Sequence, residues 1–221
     1  MPSKAAEDYL KHIFLLHQRA QEDLVPMGDL AESMGVVPGT ATSMVKKLNA
    51  ARLVNYEAYS GVKLTAKGRR IALQVLRRHR IIETLLVKTF GLDWSEVHDE
   101  AEQLEHTISD RLLEHIDVFL GHPTTDPHGD PIPSAQGQLP KSSPRRLSDC
   151  SQGEKVTICR IVDQDQDFLR FIEQHGLKPG SQVQIDVIDE AADSIRILPE
   201  RKKPLIMGSH AARKLLVESS G

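Results

Sequence analysis

Acidic and histidine side chains recur at helical spacing in the middle of the chain. Four of them stand at positions i, i+4, i+7 and i+8, namely His98, Glu102, Glu105 and His106. A continuous helix would present all four on one face. Carboxylates and imidazoles suit a divalent first-row metal ion, and because no thiolate stands among them the set favours harder ions such as Mn(II). The spacing therefore predicts a metal site on this helix.

A second pair of potential ligands lies earlier in the chain. His79 and Glu83 are four residues apart and share a face of a long predicted helix. The short turn at Gly91-Leu92 would bring that helix back against the next one. A histidine four residues from a glutamate is, taken alone, more often a surface ion pair. With the first group, however, so many clustered carboxylates would be costly without a cation, which favours a metal site.

Charged residues are divided unevenly along the chain, although the formal net charge is only −3. Residues 36–80 contain ten Lys or Arg side chains and one acid, whereas residues 93–117 contain nine acids and one base. A basic segment beside an acidic, histidine-bearing segment indicates two different partners, a polyanion and a cation. Two solvated helix faces are the alternative explanation.

The basic segment belongs to a region with the element order of a winged helix-turn-helix. Periodicity predicts three helices and then two short strands, over 5–19, 27–34, 38–51, 53–56 and 62–64. Gly35 allows the tight turn between the second and third helices, and Pro38 stands where a helix can begin. The turn at 59–61 joins the two strands as a hairpin, which would be the wing.

Small and hydroxyl-bearing residues stand at the start of the third helix, where a recognition helix enters the major groove. They are Val37, Pro38, Gly39, Thr40, Thr42 and Ser43. Lys46 and Lys47 follow for phosphates, and the wing would place Tyr59, Ser60 and Lys63 along the DNA backbone or minor groove. No Arg or Gln stands at the helix start for a bidentate base contact, so methyl contacts, hydroxyls and DNA shape are expected to provide specificity. A protein-docking role is the alternative, against which the basic excess argues.

Helices are also predicted between the wing and residue 121. The first covers 65–90, with a threonine to cap it and Gly91 to end it. The second begins at a capping box over 93–96 and continues through His106. A break near Ser109-Asp110 precedes a last turn or two.

The remainder of the chain changes character twice. Residues 122–149 hold six of the twelve prolines and are predicted to be a linker. Beyond them, alternating strand patterns and a short helix predict a small β-barrel. The predicted fold is therefore mostly α with small β parts, in four segments: a winged helix-turn-helix DNA-binding domain (1–71), a metal-binding and dimerisation domain (72–121), the linker (122–149) and an SH3-like barrel (150–221).

Composition excludes several classes of protein. No apolar stretch approaches the roughly 18 residues that cross a membrane, and the N-terminus lacks a signal-peptide pattern. The two cysteines, Cys150 and Cys159, form no disulfide framework and no C-x-x-C pair. A cytoplasmic location is expected.

These residues together resemble a known family, the DtxR/MntR metalloregulators of the diphtheria-toxin-repressor and manganese-transport-regulator types. The motifs that carry the resemblance are Asp8-Tyr9-Leu10, His79-Arg80 with Glu83, Val97 to Glu102, Glu105-His106 and Asp130-Pro131-Ile132-Pro133. The tail from Cys150 is similar to the family's optional SH3-like, FeoA-like domain. The resemblance covers nearly the whole chain.

The resemblance implies a homodimer that binds double-stranded operator DNA, with two metal positions per subunit. The primary site would use Asp8, Glu102, Glu105 and His106, and the ancillary site His79, Glu83 and His98. Iron-type members carry Cys and Met where this chain has Glu102 and Asp8, as manganese-type members do. Lys11, however, stands where the manganese type has a second acid. This departure favours the iron-type layout, in which the SH3-like domain lends the ancillary site a ligand, here Asp163 or Asp167.

The expected function is a metal-dependent transcription repressor, activated for operator binding by Mn(II) or Fe(II) and having neither enzymatic activity nor a small organic substrate. A metal-dependent hydrolase is the first alternative, but no separate nucleophile or Gly-rich phosphate loop is visible, and catalysis needs an open coordination position. A metal-independent winged-helix regulator is the second.

Overall fold

A computed structural model describes residues 2–20, 23–140, 143–200 and 202–219, and these residues form a mixed α/β structure. The chain divides into two compact units. The first comprises Met1–His79, Glu105–Ile108 and Pro133–Gln138, and the second comprises Arg80–Leu104, Ser109–Ile132 and Leu139–Gly221. Within the described residues, no helix is both long and apolar enough to cross a membrane.

The first unit contains the predicted winged helix-turn-helix. Its elements are α1 (Lys4–Ala20), α2 (Met27–Ser33), α3 (Pro38–Ala50), β1 (Val54–Glu57), β2 (Gly61–Leu64) and the first half of α4 (Ala66–Phe90). The strands pair antiparallel from Val54↔Leu64 to Glu57↔Gly61. The predicted order of three helices and a hairpin is confirmed.

Apolar residues at helical spacing form the core of this unit. The buried apolar side chains of α1 and α3 are Ala6, Tyr9, Leu10, Ile13, Phe14, Ala41, Val45 and Leu48. Helix α4 begins as predicted, because the Thr65 hydroxyl oxygen accepts a hydrogen bond from the Gly68 amide at 3.1 Å. Residue 68 must be glycine, since a Cβ there would lie 2.0 Å from the Leu53 carbonyl oxygen. The start of α4 is thereby held against the hairpin.

The acidic helix is shorter than its sequence predicts. Helix α5 covers Val97–Leu104, and α6 covers Asp110–Phe119. Asp93 does not cap α5; its carboxylate accepts hydrogen bonds from the Ser95 amide and hydroxyl, which closes a turn before the helix. Glu105 and His106 lie in a turn after α5, so the prediction that they continue its face is wrong. The predicted break is confirmed, because Ser109 caps α6.

The C-terminal part of the second unit is a six-stranded antiparallel sheet. Its elements are β3 (Arg145–Arg146), β4 (Lys155–Ile161), α7 (Gln166–Gln174), β5 (Gln182–Asp189), β6 (Ser194–Pro199), β7 (Leu205–Gly208), α8 (Ser209–Ala212) and β8 (Leu215–Ser219). The strand order is β3-β8-β4-β5-β6-β7. The described strands form an open sheet, so the predicted closed barrel is wrong. The alternating patterns over 156–162, 183–188 and 194–198 correspond to β4, β5 and β6, whereas β3, β7 and β8 had no predicted counterpart.

The proline-rich stretch 122–149 is structured along most of its length. It contains β3 and a 3-10 turn at Leu147–Asp149, and Thr125 bridges to Pro131. Three of its polar side chains are buried, those of Asp126, His128 and Asp130. Proline and glycine therefore mark a folded loop here.

Candidate metal centre and DNA-binding surface

Helix α1 supplies the first charged residues of the candidate metal site in the first unit. Glu7, Asp8 and Lys11 lie beside its apolar stripe, and Lys11 is only 2% exposed. A buried ammonium requires a buried anion nearby. That anion belongs to the turn after α5.

Glu105 is fully buried and is held by two nitrogen donors. Lys11 Nζ lies 2.7 Å from its Oε1, and His79 Nδ1 lies 2.7 Å from its Oε2. Both carboxylate oxygens are thus engaged by groups that a metal ion could replace. These two contacts hold Glu105 in the turn that follows α5.

His106 is surrounded by carboxylates. Its Nε2 lies 2.5 Å from Asp8 Oδ1 and 3.2 Å from Glu105 Oε1, while its Nδ1 lies 2.8 Å from Glu7 Oε2. A proton on each ring nitrogen would let the imidazolium donate to Asp8 and Glu7. A metal at Nε2 would have to displace one of these protons, so metal binding competes with protonation.

One ligand atom each from Asp8, Glu105 and His106 lies within 4.8 Å of the others, and we call these residues the Asp8 cluster. Burial raises the pKa of Asp8, whereas the charges of His106 and Lys11 lower it. Burial therefore makes an uncompensated carboxylate costly at this site, and a cation would offset the cost. The donor chemistry, two carboxylates and an imidazole, suits a divalent first-row ion.

The other predicted ligands belong mainly to the second unit. Glu83 is fully buried, and its Oε1 lies 3.6 Å from His98 Nδ1. His98 Nε2 lies 3.6 Å from Oε1 of Glu102, one turn further along α5. His79, the last residue of the first unit, precedes Glu83 by one turn of α4.

The two candidate ligands from the tail have different surroundings. The Asp163 carboxylate lies 2.6 Å from Lys214 Nζ and also accepts a hydrogen bond from the Asp165 amide. The Asp167 side chain is 94% exposed and lies 3.7 Å from Arg170. Among the described residues, neither aspartate belongs to a group of three or more potential ligands.

The predicted recognition helix presents its start to solvent. Ala41, Val45 and Leu48 face the core, and the exposed set contains Val37, Pro38, Gly39, Thr40, Ser43, Lys46 and Lys47. Thr42 is half-buried, and its hydroxyl donates to the Pro38 carbonyl at 2.8 Å, so it is already engaged by the helix. The helix can thus offer small side chains, hydroxyls and two cations to a partner.

The wing is exposed at its tip. Tyr59 and Ser60 are exposed, and Tyr59 adopts a left-handed φ of 66°. Lys63 is half-buried and pairs with Asp23 at 2.8 Å. A phosphate contact by Lys63 would therefore compete with this ion pair.

Sequence reasoning overlooked two sets of residues. Glu7 contacts His106, and its position directly before Asp8 on an amphipathic helix was the available signal. Asp126, His128 and Asp130 were assigned to a linker because of the prolines around them. Their alternation with turn residues was a signal of a folded polar loop.

A winged helix-turn-helix chain with a buried carboxylate and imidazole cluster is, by class, a metal-responsive DNA-binding regulator. Family models match three consecutive stretches: the iron-dependent repressor N-terminal DNA-binding domain over residues 1–62, the iron-dependent repressor metal-binding and dimerisation domain over 65–134, and the FeoA domain over 145–219. The chain belongs to the iron-dependent repressor family of transcription regulators.

Relatives and solved structures agree with this assignment. The chain is 31% identical over 206 residues to the iron-dependent repressor IdeR of Mycobacterium leprae, covering 87% of this chain and 88% of the relative. It is 34% identical over 128 residues to the regulator MntR of Shouchella clausii, covering 56% and 87%. A manganese-dependent transcriptional repressor in complex with manganese matches with a TM-score of 0.89 at 42% identity, covering 97% of this chain and all of that one.

Membership defines the general activity. The family consists of metal-dependent transcriptional repressors that bind operator DNA and dimerise, and they are not enzymes. The hydrolase alternative is thereby excluded. Exposed apolar side chains of α6, those of Leu112, Val118 and Phe119, fall inside the matched dimerisation domain.

Proposed function

We propose that Mn(II) or Fe(II) activates this repressor for operator binding at a primary site formed by Asp8, Glu102, Glu105 and His106. The observation that carries the proposal is the Asp8 cluster, which joins α1 to the turn after α5. Glu102 is the fourth ligand because it lies in the last turn of α5, three residues before Glu105. The set then offers three carboxylates and one imidazole, which suit both ions.

A second position per subunit is proposed for His79, Glu83 and His98. The contact between Glu83 and His98 supports it, as does the one-turn spacing of His79 and Glu83 on α4. Asp163 or Asp167 would complete this ancillary site. Asp163 is the stronger candidate, because it is partly shielded whereas Asp167 is exposed.

The names of similar proteins bear on the choice of metal. One similar structure is described as a manganese complex, and the relative from Mycobacterium leprae is described as iron-dependent. A structure of ScaR, with a TM-score of 0.81 at 29% identity, holds Cd²⁺. The donor set of this chain fits Mn(II) and Fe(II) because it is rich in oxygen and lacks a thiolate.

The proposed domains are those predicted from the sequence: 1–71 reads DNA, 72–121 binds metal and dimerises, 122–149 connects, and 150–221 modulates. Lys11 pairs with Glu105, and His106 contacts both Asp8 and Glu7. A bound cation would take over these carboxylates and fix α1 against the turn at residue 105. The two recognition helices of a homodimer would then be ordered for a palindromic operator.

A metal-independent regulator is the remaining alternative. Footprinting of the full-length protein on its own upstream DNA, first with chelator and then with Mn(II), Fe(II) or Zn(II), separates the two. We expect protection only with metal, and weaker protection with Zn(II), since a tetrahedral ion need not engage every ligand. Equal protection in chelator would reject the proposal.

Removing Lys46 or Lys47 is expected to weaken binding to all DNA sequences alike. Both side chains are exposed on α3 and would contact phosphates. Each Lys→Ala change should lower the slope of log affinity against log salt by about one unit. Lys155→Ala, an exposed lysine at the start of β4, is the matched control. A change in discrimination between operator and random DNA at constant salt slope would show that α3 is placed wrongly.

Replacing Glu102 with cysteine is expected to shift the metal response toward softer ions. A thiolate exchanges a hard oxygen donor for a soft sulfur, so about tenfold more free Mn(II) should be needed for operator binding. Operator retardation against free Mn(II) and Zn(II) measures the shift. Glu100→Cys, at an exposed position on the same helix, controls for the thiol itself. An unchanged manganese curve would remove Glu102 from the primary site.

A further inference from the structure

A loop of the second unit buries three ionisable side chains in alternation. Asp126 organises it, since its Oδ1 accepts hydrogen bonds from the amides of His128 at 2.8 Å and Asp130 at 2.9 Å. Gly129 has a φ of +85°, and a Cβ there would lie 2.0 Å from the Cys159 carbonyl oxygen. The loop is therefore fixed against β4, and its side chains have defined positions.

His128 has one ring nitrogen engaged and the other available. Its Nε2 lies 2.8 Å from the Trp94 carbonyl oxygen, which can only accept, so Nε2 carries the proton. Its Nδ1 then holds a lone pair, has no hydrogen-bond partner among the described residues, and lies 3.9 Å from Asp126 Oδ1. The side chain is 1% exposed. The buried lone pair on Nδ1 therefore lies beside a carboxylate and has neither a hydrogen-bond donor nor a cation to accept it among the described residues.

Asp126 has a similar deficit. Its side chain is 1% exposed, and its Oδ2 has no hydrogen-bond donor among the described residues. The nearest guanidinium nitrogen, Arg80 Nε, is 3.6 Å away, which is too long for a hydrogen bond. Two further acids, Asp130 and Glu83, lie close to this buried carboxylate. The Asp126 carboxylate is therefore removed from water and repelled by neighbouring acids.

Acids and guanidinium groups lie close together around this loop. Three buried carboxylates, those of Glu83, Asp126 and Asp130, meet two guanidinium groups, those of Arg80 and Arg160. Arg80 Nη2 lies 3.3 Å from Asp130, and Arg160 also pairs with Asp130. Both cations therefore lie close to Asp130, whereas Asp126 has a single longer contact, 3.6 Å from Arg80 Nε. Burying an excess negative charge is costly unless a cation joins it.

We infer that Glu83, Asp126 and His128 bind a divalent first-row metal ion, at a position additional to the primary and ancillary sites. One ligand atom from each lies within 4.8 Å of the others. Two oxygens and one nitrogen suit Mn(II) or Fe(II). The inference rests on the proposed function in one respect, because Glu83 is shared with the ancillary site; its two oxygens can serve two ions.

The test counts metal ions bound to the full-length protein. Wild-type protein is dialysed against saturating Mn(II), and bound manganese per chain is measured by atomic emission. Asp126→Asn, which keeps the acceptor for both amides, and His128→Gln should each lose one manganese per chain. Asp117→Asn and His122→Gln, which alter a pair of a partly buried aspartate and an exposed histidine in the same unit, should lose none. Equal counts in wild type, Asp126→Asn and His128→Gln would overturn the inference.

Crystals of the wild-type protein grown with Mn(II) provide a second measurement that does not depend on variant folding. An anomalous peak should lie between His128 Nδ1 and Asp126. A peak at His106 without one at His128 would reject the inference and leave the proposed function intact. If neither peak were present and Mn(II) did not alter operator binding, the proposed function would fail as well.

Discussion

Replacing His106 with alanine is expected to abolish metal-activated operator binding for every metal tested. His106 is the only imidazole in the proposed primary site, and its Nε2 faces both Asp8 and Glu105. Without it, three carboxylates would have to hold the ion, and the two ring contacts that join α1 to the turn at residue 105 would be lost. Half-saturation of operator binding should not be reached even at about 100-fold higher free Mn(II) than wild type requires. Fluorescence anisotropy of labelled operator against free Mn(II) measures this shift.

His17→Ala removes an exposed histidine from the same helix and should leave the titration unchanged. Far-UV circular dichroism on both variants checks that the winged-helix unit remains folded. If the His106→Ala variant responded to Mn(II) like wild type, the metal that activates this repressor would lie elsewhere.

Replacing Lys11 with methionine is expected to destabilise the metal-free protein and to strengthen metal binding. Lys11 and Glu105 form a buried ion pair, with side chains 2% and 0% exposed. Removing one partner leaves an undercompensated buried carboxylate, so the free energy of unfolding in chelator should fall by about 3 kcal/mol. The ion no longer competes with the ammonium for Glu105, so Mn(II) affinity should rise about tenfold. Urea unfolding with chelator and with Mn(II) measures both effects.

Lys4→Met, at an exposed position near the start of α1, serves as the control and should change neither quantity. If Lys11 is an internal counterion for Glu105, its removal should lower the free energy of unfolding in chelator and raise the affinity for Mn(II). Weaker Mn(II) binding by Lys11→Met would show instead that the ammonium supports the site.

The elements that were predicted best are those that the local periodicity of apolar residues determines. Helices α1, α3 and α4 and the β1-β2 hairpin follow from apolar spacing, from Pro38 at the start of α3 and from the Thr65 cap. Glu105 and His106 were singled out by their spacing in the sequence, whereas Asp8 was implied only by the resemblance to the DtxR/MntR family.

The features that the sequence analysis did not predict depend on contacts between residues far apart in the chain. The Lys11-Glu105 pair joins residues 94 positions apart, and no local sequence pattern predicts it. The same pair and the contact with His79 involve Glu105 in a turn after α5, whereas its spacing predicts that it continues the helix. Helical periodicity of ligands is therefore a weak guide when a buried ion pair competes with one more helical turn.

Composition was misleading in the loop that contains Asp126. Proline and glycine there predict an open connection, yet the Arg80 guanidinium donates to the Pro131 carbonyl at 2.6 Å and attracts the acids around it. In the sheet, the short strand β3 and the late strand β8 pair with each other, and this pairing depends on the fold of the whole unit. Two-residue strands carry no periodicity that could predict them.

The coupling between metal and operator is the central claim, and reciprocal titration tests it most directly. Mn(II) affinity is measured by equilibrium dialysis with and without saturating operator, and operator affinity is measured by anisotropy with and without saturating Mn(II). Linkage requires that each ligand strengthen the other by the same factor, and we expect about 5- to 150-fold, or about 1–3 kcal/mol. Operator affinity that is the same in chelator and in Mn(II), with manganese bound, would contradict the account.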